Sequence, residues 1–244
     1  MLMHDHEAFF PPENNHSIWR YLDFTKFVSL LETSQLYFPR ADQFEDPYEG
    51  TWSKRGIEVL RDPRLNNGLP TQAVEQFINA IEIQRKQMFI NCWYANEHES
   101  AAMWKLYLQT NEGVAIRSDS DTLTTILDKS KLNIGLSMVQ YIDYDKTIIP
   151  FRNLFFPFVH KRLSFAHENE LRAIIWSVDS ANKPEMVGET VGLSIDINIQ
   201  ELIKSVYVAP TAPKWFGPLV QSITKRYGLG SPVICSSLYD RPAY

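Results

Sequence analysis

Glu168, Glu170 and Arg172 form the group in this sequence with the clearest chemical potential. A basic, amphipathic stretch from His160 leads into them, and the apolar or small run Ala173–Ser177 follows. Ile174, Ile175, Trp176 and Val178 favour extended backbone. In a strand beginning near Glu168, the two-residue period places Glu168, Glu170 and Arg172 on one face. Two carboxylates and a guanidinium at the mouth of a sheet are costly to leave unpaired, which marks them as a candidate site. Lys161 and His167 lie close enough in the chain to join them. The competing reading is a surface strand laced by a salt bridge.

Three further groups carry chemistry-bearing side chains. Trp19-Arg20-Tyr21 ends a short apolar run; Arg20 could grip a phosphate or carboxylate bidentately, or pair with a loop acid. The loop Arg40–Gly50 holds four acids and two aromatics, among them Phe44, Asp46, Tyr48 and Glu49. Asp46-Pro47 forms a turn, so this loop either walls a pocket or plugs itself with Phe44 and Tyr48. In a short helix opened by Ser100, Met103, Trp104 and Tyr107 fall at i, i+1 and i+4; that stripe is core, or an aromatic pair for stacking on a base or nicotinamide ring. There is no GxGxxG after a strand, no phosphate loop, no GxSxG and no HExxH, which removes the commonest dehydrogenase, P-loop, hydrolase and zinc-protease designs.

The elements that must position these groups read as follows. Residues 1–17 are an irregular, polar lead in which His4 and His6 belong to a loose tail. Ile18–Leu22 is a strand, and Asp23 caps a helix whose inward face is Phe24, Phe27, Val28, Leu30 and Leu31. Leu36–Phe38 is a strand and Gly56–Pro70 a polar surface excursion. Thr71–Lys86 is a helix, Met88–Tyr94 a buried strand, Gly113–Ser118 a strand and Asp119–Lys129 a helix. Leu132–Tyr141 alternates like a long strand. Phe151–Ala166 reads as a helix bent or split by Pro157. Asn182–Glu189 is a loop, Val191–Ile197 a strand, Ile199–Ile203 a turn or two of helix and Ser205–Ala209 a strand. Lys214–Tyr227 is a helix closed by Gly228, and Pro232–Leu238 is the last strand. Strands and helices interleave without a repeat, so residues 18–244 are expected to form a single α+β domain: a mixed, mostly antiparallel sheet with flanking helices.

Composition sets outer bounds. The chain has 244 residues, 44% of them apolar, and a formal net charge of −5. The apolar content suffices for a large core, and the mild acidity argues against an extended nucleic-acid surface. Cys92 and Cys235 lie in apolar runs and read as buried thiols of a reducing compartment. No Cys/His spacing suggests zinc, so no metal is expected. The sequence shows no secretory leader and no apolar run of the roughly 18 residues that span a membrane. The expectation is a soluble cytoplasmic protein with a small-molecule or nucleotide ligand.

Trp19-Arg20-Tyr21, Leu36-Tyr37-Phe38, Phe44-x-Asp46-Pro47-Tyr48-Glu49-Gly50, Met103-Trp104-x-x-Tyr107, Gly113-Val114-x-Ile116 and Glu168-x-Glu170-x-Arg172 occur in this order. As an ordered set they resemble a bacterial family, the domain of unknown function numbered 2971, over Ile18–Leu238. The layout is also similar to that of ADP-ribosyltransferase-like proteins. That resemblance implies NAD as the substrate, in a toxin or defence effector. It gives Arg20 the dinucleotide phosphates and puts Tyr107 or Trp104 on the nicotinamide, with Tyr21 and Arg172 among the cofactor contacts. Glu170 would hold the ribose and stabilise the developing oxocarbenium ion, and Glu168 would orient the acceptor. The chain departs from that pattern in lacking a Ser-Thr-Ser strand. Two other readings compete: a non-catalytic module binding a ligand or partner through Phe44 and Tyr48, and a phosphodiesterase or nuclease holding Mg²⁺ on Asp46, Glu49, Glu168 and Glu170.

Overall fold

The structure is a computed structural model that describes residues 2–3, 5–178 and 190–242. Its strands are β1 (Ser17–Asp23), β2 (Gln35–Pro39), β3 (Met88–Ala95), β4 (Gly113–Asp119), β5 (Gly135–Met138), β6 (Gln140–Ile142), β7 (His160–Arg162), β8 (Glu170–Trp176), β9 (Gly192–Asp196), β10 (Ser205–Val208) and β11 (Val233–Cys235). Seven form a mixed, mostly antiparallel sheet in the order β11-β10-β4-β1-β3-β8-β5. Two short ladders, β2–β9 and β6–β7, complete the set. With its helices this is an α+β fold, as the interleaving of elements predicts.

The chain divides into two compact units. The first comprises residues 1–11, 37–92 and 131–193. Its core gathers Phe9, Trp52, Ile81, Ile90, Phe155 and Phe158. Trp52 stacks on Phe77 with ring centroids 5.4 Å apart, which ties helix Thr71–Arg85 to the loop before helix Lys54–Arg61. The second comprises residues 12–36, 93–130 and 194–244. There β1 runs antiparallel to β4 along its whole length, from Ser17↔Asp119 to Asp23↔Gly113. An aromatic cluster of Trp19, Tyr21, Tyr94 and Trp104 forms a core of this unit.

Several expectations need correction. The lead is not loose: Ala8 and Phe9 are buried, and the Met138 N–H donates to the Phe10 carbonyl at 2.8 Å. His6 packs against Phe9 and Phe155; His4 lies outside the described residues. Asp23 makes no capping bond; its carboxylate faces Lys26 at 3.6 Å. Ser100 and Asp119 do cap, accepting from the Met103 and Thr122 N–H groups. Within Gly56–Pro70, the polar run conceals the end of a helix, Lys54–Arg61, whose Ser53 cap accepts from the Gly56 N–H at 3.2 Å. The strand expected over Leu132–Tyr141 breaks into β5 and β6 at Val139, whose N–H turns to the Glu170 carbonyl.

The largest correction concerns Phe151–Ala166. Pro157 starts a short helix, Phe156–Val159, rather than bending a long one. Proline lacks an N–H and fixes φ, so the first turn is where a helix accepts it. The chain then enters β7, parallel to β6 through Gln140↔His160, Tyr141↔Lys161 and Ile142↔Arg162. Cys235 is exposed rather than buried, because β11 is the edge of the large sheet. The loop expected over Asn182–Glu189 lies outside the described residues.

Candidate functional site

Two distant segments of the first unit meet. One supplies β7, a 3-10 helix over Leu163–Glu168, and β8. Asn169, between helix and strand, sits at φ 36; asparagine tolerates this left-handed conformation better than most residues. The strand therefore starts at Glu170, two residues later than the reading from Glu168. Glu170 and Arg172 share a face as expected, whereas Glu168 reaches the same place from the end of the 3-10 helix.

The other segment is the Asp46–Gly50 turn. Asp46 Oδ1 accepts from the Tyr48 N–H at 3.0 Å, and the Asp46 carbonyl accepts from the Glu49 N–H at 3.0 Å. This turn aims consecutive side chains apart: Glu49 is 1% exposed and Tyr48 44%. Gly50 closes it at φ 69, where a Cβ would overlap the Phe158 ring. Gly50→Ala is therefore expected to cost roughly 1–3 kcal/mol, read as a lower Cm in urea.

Arg172 is the hub of the meeting point and is wholly buried. Its NH1 and NH2 groups donate to Glu49 at 2.5 and 3.1 Å. Its Nε and NH2 donate to Glu170 at 2.8 and 3.1 Å, and NH1 also reaches the Phe158 carbonyl at 2.9 Å. These five contacts match the donor capacity of a guanidinium. Lys161, itself buried, donates to Glu170 at 2.8 Å and to Glu168, and lies 3.6 Å from Glu49. The Tyr141 hydroxyl accepts from the Glu170 N–H at 3.0 Å. The salt-bridged surface strand is thus set aside: Glu168, Glu170 and Arg172 are 8%, 3% and 0% exposed.

Three carboxyls, Glu49, Glu168 and Glu170, face two cations, Lys161 and Arg172. Buried charge that does not balance is expensive, and a proton is the simplest remedy. Glu168 is the group that takes it. Burial, its hydrogen bond with Glu170 and the charge of Glu170 push its pKa up to about 8. Burial opposes ionisation of Glu170 too, but Arg172, the Glu168 hydrogen bond and Lys161 outweigh it and hold Glu170 well below the usual carboxylate range. Burial weakens the Lys161 ammonium, yet Glu170, Glu49 and Glu168 restore it above its ordinary value. Cys92 is pushed well above a normal thiol by burial and then by Glu170, so it is an inert neighbour.

The opposed shifts have a stability signature. A carboxyl raised from 4.5 to about 8 on folding stabilises the fold fully below pH 4.5 and loses that contribution as pH rises to about 8. Glu170, shifted the other way, contributes above pH 4.5 and loses its share below it. Urea melts should show stability declining by a few kcal/mol between about pH 5 and 8. Glu168→Gln should flatten that decline; an unchanged slope would mean that Glu168 is ionised throughout.

The remaining predicted site residues fall elsewhere. Asp46 accepts from Arg162 at 2.7 Å, the Arg162 guanidinium lies 4.3 Å from the Tyr48 ring centroid, and Phe44 packs on the first unit's core. Arg20, Tyr21, Trp104 and Tyr107 belong to the second unit. Arg20 lies 6.0 Å from the Trp93 ring. Trp104 is core: 3% exposed, edge-on to Tyr21 at 4.9 Å, with its N–H donated to Glu99. The Tyr21 hydroxyl accepts from the Ser100 N–H, while Tyr107 is exposed. Sequence reasoning did not bring Tyr141, Arg162 or Phe165, whose ring lies 4.8 Å from the Lys161 ammonium, to this site. Arg162 and Phe165 lie inside the basic lead-in and were open to notice; Tyr141 carries no local signal.

Among the described residues, no group of three or more His, Cys, Asp or Glu side chains is arranged to hold a metal ion, and no helix is long and apolar enough to cross a membrane. No family model, no curated protein and no solved structure matches the chain.

Proposed function

We propose that the Glu168–Glu170 pair cleaves a glycosidic bond of an NAD-type dinucleotide, in the manner of ADP-ribosyltransferase-like enzymes. One observation carries this reading: two adjacent carboxyls on one lysine hold opposite protonation preferences, Glu168 at about 8 and Glu170 well below 4.5. Environments that drive two titratable neighbours apart are how one site supplies both a fixed charge and a proton-transfer group. Glu170 stays ionised and stabilises positive charge developing on the ribose. Glu168 titrates near working pH, where a general base is most effective. In the step, the bond between the anomeric carbon and the nicotinamide nitrogen breaks, its electron pair leaving on the ring. The acceptor oxygen bonds to that carbon, and the acceptor proton passes to ionised Glu168. Lys161 and Arg172 fix both carboxyls. The assignment rests on first-unit residues alone. Its test is nicotinamide release from NAD by the purified chain; no release by the parent protein, with water or a mixed protein acceptor present, ends it.

A second reading, a non-catalytic binding module, draws on Arg172. A guanidinium with all five donors satisfied internally suits a strut that holds the Tyr48 loop to the sheet, leaving Tyr48 as a contact surface.

A further inference from the structure

Charge is unevenly spread over the second unit. From Leu202 to Tyr239 the sequence holds four cations, Lys204, Lys214, Lys225 and Arg226, and no acid, in a chain of net charge −5. Lys214 lies in the turn before helix Phe216–Arg226, and Lys225 and Arg226 end that helix. Ion pairs elsewhere in this unit join Lys26 to Asp23, Lys129 to Glu201 and Lys204 to Asp119. Lys214, Lys225 and Arg226 are exposed and, among the described residues, have no such partner. Glu32, on the helix that begins at Phe24, is engaged by the Tyr227 hydroxyl.

The same helix carries a small apolar ridge. Phe216, Gly217, Val220 and Thr224 face inward. Phe216 meets Phe24 edge-on with ring centroids 5.0 Å apart, and Gly217 lies so close to β11 that a Cβ there would sit 3.1 Å from Cys235 Sγ. Trp215 and Leu219, one turn apart on the outer side, are 55% and 36% exposed. Arg226 continues their line at i+11, with Lys225 beside it. A single exposed indole is ordinary; one flanked by unpaired charges of one sign matches an apolar surface of the opposite charge.

We infer that this face docks on an anionic lipid surface. Trp215 and Leu219 enter the headgroup layer, and Lys214, Lys225 and Arg226 meet the lipid phosphates and carboxylates. Charge complementarity selects the sign of the partner, and shape selects its kind. The helix buries its larger apolar face on its own sheet, so it offers only a ridge of two apolar side chains. That is too little for the roughly 800 Å² per partner of a stable protein interface. A lipid surface is continuous and deformable, and it needs no complementary groove. The attachment is peripheral, uses second-unit residues alone and is independent of the glycosidic reading.

The test is cosedimentation of the intact chain with phosphatidylcholine vesicles, either plain or containing about 30% phosphatidylserine. The chain is expected to bind the anionic vesicles about tenfold or more tighter than the neutral ones, and to be released as NaCl rises from about 0.05 to about 0.2 M. Lys225→Gln with Arg226→Gln should weaken binding about 25-fold, at about fivefold per cation. Lys54→Gln with Lys146→Gln, an equal change of charge on the first unit, should leave binding as it was. Binding should shift tryptophan emission to the blue, and Trp215→Phe should remove most of that shift; melting curves confirm that each variant is folded. No binding to the anionic vesicles, equal binding to the neutral ones, or equal losses from the two double variants overturns the inference. So does retention on poly-glutamate or single-stranded DNA without vesicle binding, which assigns the face to an acidic polymer instead.

Discussion

Arg172→Met is expected to destabilise the fold by about 3–5 kcal/mol, the usual cost of removing one partner from a buried ion network. Methionine approximates the volume of the arginine stem, so packing changes little and the loss is electrostatic. Glu49 loses its contacts at 2.5 and 3.1 Å, and Glu170 loses those at 2.8 and 3.1 Å. Two carboxylates and the Phe158 carbonyl are then buried without their donor. Arg172→Lys should recover less than half, because one ammonium cannot face both carboxylates in a fork. Glu49→Gln in the Arg172→Met background should restore about 1–2 kcal/mol by removing one stranded charge. Urea denaturation of the four proteins reads all of this. A loss under 1 kcal/mol for Arg172→Met would mean that the network opens to water.

That hub shows where the sequence could be read and where it could not. Glu170 and Arg172 obey the strand period, and the apolar run behind them makes the strand itself plain. Glu168 joins them only because Asn169 takes a left-handed turn, which a sequence permits without requiring. Glu49 meets Arg172 across 123 residues, and nothing local ties a turn at Asp46-Pro47 to a strand so far away. Lys161 is close to the acids in the chain, but a helix over Phe151–Ala166 would not fix where its ammonium points. Pro157 marks a bend or a split in that helix, but the parallel pairing of β7 with β6 is a tertiary choice that overrides propensity. Helix Lys54–Arg61 escaped notice because its residues are mostly polar and its stability depends on the Ser53 cap and on packing near Phe151. The aromatic stripe at Met103 and Trp104 is core, the ordinary fate of such a stripe on a short helix. The protonation contrast between the two glutamates could not be read at all, since it arises from three acids and two bases drawn from two distant segments.

Glu168→Gln is expected to lower nicotinamide release from NAD by about 10²–10⁴-fold, the usual contribution of a positioned proton-transfer group. The amide keeps an acceptor toward Lys161 and is neutral, as the protonated acid is at pH 7, so the structure should be kept and stability at pH 7 should not fall below the parent's. The sign of the pH dependence is fixed by the direction of the shift. A base with a pKa of about 8 is mostly protonated at pH 7, so the parent rate should climb tenfold per unit below that value and level off above it. The residual rate of Glu168→Gln should lack that limb. Glu170→Gln should also lose activity, but it strands Arg172 and lowers stability as well, which separates the two roles. A Glu168→Gln protein that released nicotinamide at the parent rate would leave Glu168 as part of the scaffold.

The catalytic reading depends on Glu168 and Glu170 differing in charge at neutral pH. Carbon NMR of side-chain-labelled glutamate, with Glu168→Gln and Glu170→Gln for assignment, titrates each carboxyl in place. One resonance should move with a midpoint near 8, and another should remain that of a carboxylate to the acid limit of the fold. Two carboxylates both ionised at pH 6 would contradict the account.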